Sequence, residues 1–135
     1  MDSFKISTTL PAKPRDVYKA WLSSIEHTAF SGEKAVIDAK VGGRFKAFGD
    51  YIEGKNLELK PGKLIIQSWR TTEFADSSDD SRLELNFEEV AGGTKLTLSH
   101  SNIPVGQGVR YKDGWREFYF SPMKKYFAGK KKKHI

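Results

Sequence analysis

The spacing of apolar positions changes period along the chain, and each change marks an element. Phe4, Ile6, Thr8 and Leu10 alternate with polar neighbours, which predicts a first strand with one buried face. Pro11 and Pro14 end that strand, and Pro14 suits the first turn of a helix, where a missing N–H costs nothing. Val17, Tyr18, Trp21 and Leu22 then form a helical stripe. Ser23 followed by Glu26 has the spacing of a capping box, so a second short helix is expected to start there and run toward Phe30. Ser31-Gly32 closes it.

From Glu33 the period falls to two. A strand is predicted over residues 35–39, a turn at Gly42-Gly43, and the next strand over residues 45–48. Gly49-Asp50 turns into residues 51–59, and Pro61-Gly62, the strongest hairpin signal, leads into residues 64–70. The segment ADSSDDS, residues 75–81, reads as an exposed polar loop. Leu83, Leu85 and Phe87 alternate, Gly92-Gly93 turns, and Leu96, Leu98 and His100 answer on the returning strand. Pro104, Gly106 and Gly108 make a loop into a final helix.

That helix, YKDGWREFYFSPMKKYF over residues 111–127, holds seven of the 17 aromatic residues. Tyr111, Trp115, Phe118, Tyr119, Met123, Tyr126 and Phe127 recur at steps of three and four, the spacing of one broad helical face. Rings of that size need a wide apolar surface, which a curved sheet supplies. Strands joined by tight turns cannot be parallel. The predicted class is therefore α+β: a curved antiparallel sheet of six to seven strands wrapped around a long C-terminal helix, with two short helices after the first strand. Pro122 removes an N–H and crowds the carbonyl of Phe118, which would cost about 3 kcal/mol in a straight helix. A kink or break is expected over residues 120–122.

At 135 residues the chain fits one domain, here residues 1–129, followed by a basic tail, 130–135. There is no cysteine, so disulfides and thiolate chemistry are excluded. No charged-then-apolar leader opens the sequence, and no run approaches the ~18 apolar residues of a membrane span. A cytoplasmic protein without membrane contact is the expectation. The net charge of +6 equals the contribution of Lys124, Lys125, Lys130, Lys131, Lys132 and Lys133, so the body is neutral. That distribution argues against nucleic acid; the lysines form either a solvated end or a contact for an acidic partner surface.

Gly49 to Asn56, GDYIEGKN, nearly spells a phosphate-binding loop, but it alternates like a strand and no helix follows, so it is rejected. His27, His100 and His134 lack metal spacing, and no cofactor is expected. His100 keeps the parity of Leu96 and Leu98; it reads as a hydrogen-bonded histidine at the core edge, or as a ligand-contacting one. No nucleophile elbow, zinc-protease motif or acid–base pair stands out. Trp21, Trp69 and Trp115, one on each of three elements, are expected to meet between helix and sheet. They either pack as core or border an apolar ligand cavity. Trp21, Phe30, Phe45, Trp69, His100, Trp115, Tyr119 and Met123 are the cavity candidates.

Several segments together resemble the activator of heat-shock protein 90 ATPase family, of its C-terminal-domain type, within the START-like, Bet v 1-like SRPBCC helix-grip superfamily. They are LPAKPRDVYKAW, AFSGEKAVIDAKVGGRF, KPGKLIIQSWR, GGTKLTLSHSNIP and DGWREFYFSPMKKYF, in that order. Gly42-Gly43-Arg44-Phe45, Trp69-Arg70, Ile103-Pro104 and Gly114-Trp115 carry most of the specificity. The resemblance implies a helix-grip fold and a co-chaperone that binds an Hsp90-type chaperone and speeds its ATP hydrolysis without being an enzyme itself. The eukaryotic activators resemble a two-domain arrangement, whereas this sequence opens directly on the second. Arg44, Arg70, Lys124, Lys125 and Lys130 to Lys133 are the partner-binding candidates. The competing reading is a START-like module holding a small apolar molecule. An enzyme of cyclase type, which distant relatives resemble, is disfavoured.

Overall fold

The computed structural model describes residues 1–133, with side chains described as far as Lys130. The elements are β1 (Asp2–Leu10), α1 (Pro14–Leu22), α2 (Ser24–Ser31), β2 (Val36–Ile37), β3 (Arg44–Ala47), β4 (Ile52–Lys60), β5 (Leu64–Thr71), β6 (Ser81–Val90) and β7 (Gly93–Ile103). They are followed by α3 (Gly108–Trp115), a π-helical turn (Arg116–Phe120) and α4 (Ser121–Lys133). The class is α+β, as the periods predict. All seven strands are antiparallel in one sheet, ordered β1-β7-β6-β5-β4-β3-β2.

This order explains the two short helices. β2 to β7 form a simple meander, so each strand lies beside the next in sequence. β1 and β2 lie at opposite edges, and α1 and α2 carry the chain across one face of the sheet between them. Pro14 opens α1 as predicted, and the Ser23 side chain accepts from the Glu26 N–H at 3.1 Å to cap α2. Gly32 ends α2 in the left-handed region at φ 78°. Register shifts between Asp2 and Phe4 in β1, and between Asn56 and Glu58 in β4, mark bulges that bend the sheet. At Gly54 a Cβ would stand 1.9 Å from the Ser68 carbonyl oxygen and 2.8 Å from the Phe45 ring. Only glycine lets Phe45 lie across β4 there.

Two sequence expectations shift. The strand over residues 35–39 shrinks to Val36–Ile37, because the chain turns early to let Asn56 donate to the carbonyls of Asp38 (3.0 Å) and Lys40 (3.1 Å). Ser81, assigned to the polar loop, is buried at the start of β6. The rest of that loop, residues 75–80, is exposed or partly exposed, and Arg70 holds it by donating to Asp80 at 2.7 Å and to the Ser78 and Ala75 carbonyls.

The final helix breaks its α register where proline predicts trouble, but one turn earlier and without ending. Ser121 N–H donates to the Arg116 carbonyl, an i→i−5 bond that widens the turn just before Pro122. The widening has a second effect. Tyr111, Trp115, Tyr119, Met123 and Phe127 are all buried and spaced by four. In an uninterrupted α-helix each step of four overshoots the turn by about 40°, so the row would wind off the sheet. The π turn rewinds it. The same rotation sends Phe118, predicted on the buried face, outward to 53% exposure, and brings Phe120 inward. Tyr126 sits at the edge, half-buried.

The N-terminus of this helix is fastened from afar. Gln107 makes no side-chain cap, and the Asp2 carboxylate accepts instead from the N–H groups of Gly106 (2.9 Å) and Gly108 (3.0 Å). Asp2→Ala is expected to cost about 1–2 kcal/mol, the range for losing a helix cap. Thermal unfolding measures it, and an unchanged Tm would show the latch to be idle.

Candidate functional site

The three tryptophans converge as expected, with Trp115 in the middle. Its ring lies 6.0 Å from Trp21 and 5.7 Å from Trp69, and Tyr119 lies alongside, tilted by 37°, at 4.7 Å. Two buried histidines tie this cluster together. Trp115 Nε1 donates to His100 Nδ1 at 3.1 Å; an indole only donates, so the His100 proton must sit on Nε2, 2.8 Å from Ser81 Oγ. Ser81 in turn donates to the Trp69 carbonyl at 2.8 Å. His27 Nδ1 lies 2.8 Å from the Trp21 carbonyl, which only accepts, and its Nε2 therefore receives the Tyr119 hydroxyl at 2.9 Å. Among the described residues every buried side-chain nitrogen and oxygen has a partner.

Burial sets the ionisation of this layer. It pulls His100 down to about 3. Burial likewise pulls His27 down to about 4, against the opposing hydrogen bond to the Trp21 carbonyl. Tyr119 is pushed up by burial. Both imidazoles are neutral at pH 7 and serve as struts. His100 is thus the core histidine of the first reading, and it faces no opening.

Beside this layer, between α3 with the π turn and the ends of β4 and β5, runs a half-open groove of about 450 Å³. Such a volume lies within the roughly 300–1,000 Å³ of small-ligand sites. Of the eight residues expected to face a cavity, Trp69, Trp115 and Tyr119 line it. Trp21, Phe30, Phe45, His100 and Met123 lie in the buried core, outside this lining, because the aromatic layer closes over them. Phe48, Tyr51 and Ile52 from the β3–β4 corner, and Arg110, Tyr111 and Phe118 from the helix, take their places. One signal could have found Phe48: it breaks the parity of Phe45 and Ala47 directly before a Gly-Asp turn. It adopts φ 53°, a left-handed conformation costly for a bulky residue, and its ring meets Phe118 at 6.3 Å and Tyr119 at 5.5 Å.

A polar strap crosses the mouth. Glu73, in the loop after β5, accepts from the Tyr51 hydroxyl and from Arg110 Nη1. The Tyr111 hydroxyl lies 2.7 Å from Thr71 Oγ1 and donates to Gln107 Oε1 at 2.5 Å. Tyr51 is pushed up to about 12 by burial and by the Glu73 carboxylate beside it. Glu73 is held below the usual carboxylate range by the Tyr51 hydroxyl and the Arg110 guanidinium. No metal-holding cluster of His, Cys, Asp or Glu occurs among the described residues.

The partner candidates divide. Arg44, Lys124 and Lys125 are exposed. Arg70 is spent on the 75–80 loop. α4 continues to Lys133, so Lys130 is still helical, and its Nζ docks on Glu26 Oε1 at 2.6 Å beside the Tyr126 hydroxyl at 2.7 Å. The side chains of Lys131, Lys132 and Lys133 lie outside the described residues. No helix among the described residues is long and apolar enough to cross a membrane.

A long helix gripped by a curved antiparallel sheet, with an aromatic groove between them, makes this a START-like helix-grip domain. Residues 11–128 match the family described as Activator of Hsp90 ATPase homolog 1-like protein, and the chain belongs to that family. A human relative, activator of 90 kDa heat shock protein ATPase homolog 1, is 25% identical over 123 residues, 91% of this chain and 36% of its own. Homolog 2 from Mus musculus is 33% identical over 95 residues, covering 70% of this chain and 28% of its own. The chain thus spans about a third of the length of the curated relatives it matches. The crystal structure of an Hsp90 activator from Plasmodium falciparum superposes with a TM-score of 0.84 at 28% identity, covering 93% of this chain and 96% of that one. The Aha1 dimer from Colwellia psychrerythraea shares the fold, with a TM-score of 0.78 at 18% identity over 96% of this chain and 99% of its own.

Proposed function

We propose that this protein is a non-enzymatic, cytoplasmic co-chaperone of the stress response that binds an Hsp90-type chaperone and modulates its ATPase. The observation that carries this reading is the family match over residues 11–128, supported by relatives named as activators of that ATPase. The exposed cations Arg44, Lys124 and Lys125 are the groups offered to an acidic chaperone surface. Lys130 serves first as an internal brace to Glu26.

Titration of the labelled protein with the chaperone is expected to shift amide NMR signals in one patch on the α4 side. Lys124→Glu with Lys125→Glu is expected to weaken binding and flatten its salt dependence. Unchanged spectra at high chaperone excess would sink the proposal. A second reading, a module binding a small apolar molecule between the C-terminal helix and the sheet, is favoured by one specific observation: the groove walled by Trp69, Trp115 and Tyr119.

A further inference from the structure

The groove is apolar along its walls but not at its two ends. Trp69, Trp115, Tyr119, Phe48 and Phe118 offer ring faces and edges, an environment for a flat aromatic body rather than a flexible aliphatic tail. At one end stands Arg110, the cation of its lining. Toward the other end is Glu33, on the connection after α2; the carbonyl of its neighbour Lys34 accepts from the Gly49 N–H at 2.9 Å, beside Phe48, whose ring meets Phe118. Arg110 and Phe118 are eight residues apart on the helix, about 12 Å along its axis. The two charges therefore polarise the groove lengthwise.

Arg110 is only partly committed. Its Nη1 donates to Glu73, while Nε and Nη2 have no protein partner among the described residues. Tyr51 and Tyr111 flank it with hydroxyls, and Glu73 holds the guanidinium from outside the groove lining. A guanidinium with unpartnered nitrogens in the lining of an aromatic slot is suited to receive a carboxylate. The left-handed Phe48, held against Phe118 and Tyr119, maintains the slot at a backbone cost.

From this we infer that the groove takes a small aromatic carboxylate, with its ring among Trp115, Tyr119, Phe48 and Phe118 and its anionic group on Arg110. Glu33 opposes the reversed orientation. Glu73 tunes affinity, because its charge competes with the ligand for the same guanidinium. This inference rests on the ligand-binding reading and adds the class of ligand and its direction.

The test compares 2-naphthoate with 2-naphthylmethanol, which share a ring system and differ in charge, by isothermal titration. Wild type is expected to bind the acid about tenfold more tightly than the alcohol, the size of one charge-assisted contact. Arg110→Gln should bring the two Kd values together. Glu73→Gln, which keeps an oxygen to accept from Arg110 and turns its amide N–H toward the Tyr51 oxygen, should tighten the acid several-fold and leave the alcohol unchanged. Arg110 and Glu73 are exposed, and near-ultraviolet circular dichroism verifies that both variants keep the aromatic core. Equal binding of acid and alcohol to wild type would overturn the acid preference while leaving an apolar site standing. Binding of neither would remove both readings. An acid preference that survives Arg110→Gln would overturn the assignment of Arg110.

Discussion

Trp115→Ala is expected to destabilise the protein by about 3–5 kcal/mol, the range for removing a buried large aromatic residue. The indole is 3% exposed and sits between Trp21, Trp69 and Tyr119, so no single neighbour can move in to fill the space. Its loss also leaves His100 Nδ1 buried without a donor, a further penalty of about 1–3 kcal/mol. Against a total stability of about 5–15 kcal/mol this brings the domain close to unfolding at 25 °C. Urea unfolding reads the effect as a fall in midpoint. Phe118→Ala is the contrast: the ring is 53% exposed, and its removal is expected to cost under about 1 kcal/mol. Equal losses for the two would contradict the outward placement of Phe118 by the π turn.

Stability is expected to fall steeply as pH drops from 6.5 toward 4. In the unfolded chain both imidazoles take up protons below about 6.5. In the folded protein burial holds His27 at about 4 and His100 at about 3. The unfolded state thus binds more protons across that window, and the stabilisation present above 6.5 is lost on acidification. Each histidine forfeits about 3 kcal/mol by pH 4, from ~1.4 kcal/mol per pH unit. Together they lose about 6 kcal/mol, comparable to the lower end of a typical stability of about 5–15 kcal/mol, so the protein is expected to be strongly destabilised near pH 4. The fixed tautomers add a structural reason, since a proton on His100 Nδ1 would face the Trp115 N–H. Urea midpoints between pH 4 and 7 measure the slope, and His27→Gln should reduce it. A flat profile between pH 6.5 and 5 would mean that the histidines are not shut away from water.

Most of the architecture was legible because it rests on local period. The six-strand meander, the Ser23 cap, the Gly32 stop and the gripping helix follow from alternation, capping and turn chemistry that neighbouring residues decide. The place of β1 beside β7 was not, since Ile6 pairs with Leu98 across the length of the chain. The groove was only partly legible, for a reason found in one turn. The broad stripe counted Phe118 among buried residues, and only a helix with constant pitch would have put it there. The i→i−5 bond at Ser121 rotates the stripe, exchanges Phe118 for Phe120 and opens the slot. Arg110, Tyr51 and Glu73 come from three segments and meet only in the folded chain, so no spacing announces them. Arg70 and Lys130 looked like surface cations because sequence does not reveal that Asp80 and Glu26 fold back onto them.

The co-chaperone reading is tested most directly by the steady-state ATP turnover of an Hsp90-type chaperone from the same cell, measured with increasing amounts of this protein. A saturable change in the chaperone's rate, weakened by Lys124→Glu with Lys125→Glu and absent when the chaperone's own inhibitor is added, is the predicted result. A rate that stays constant up to a large molar excess of correctly folded protein would contradict it.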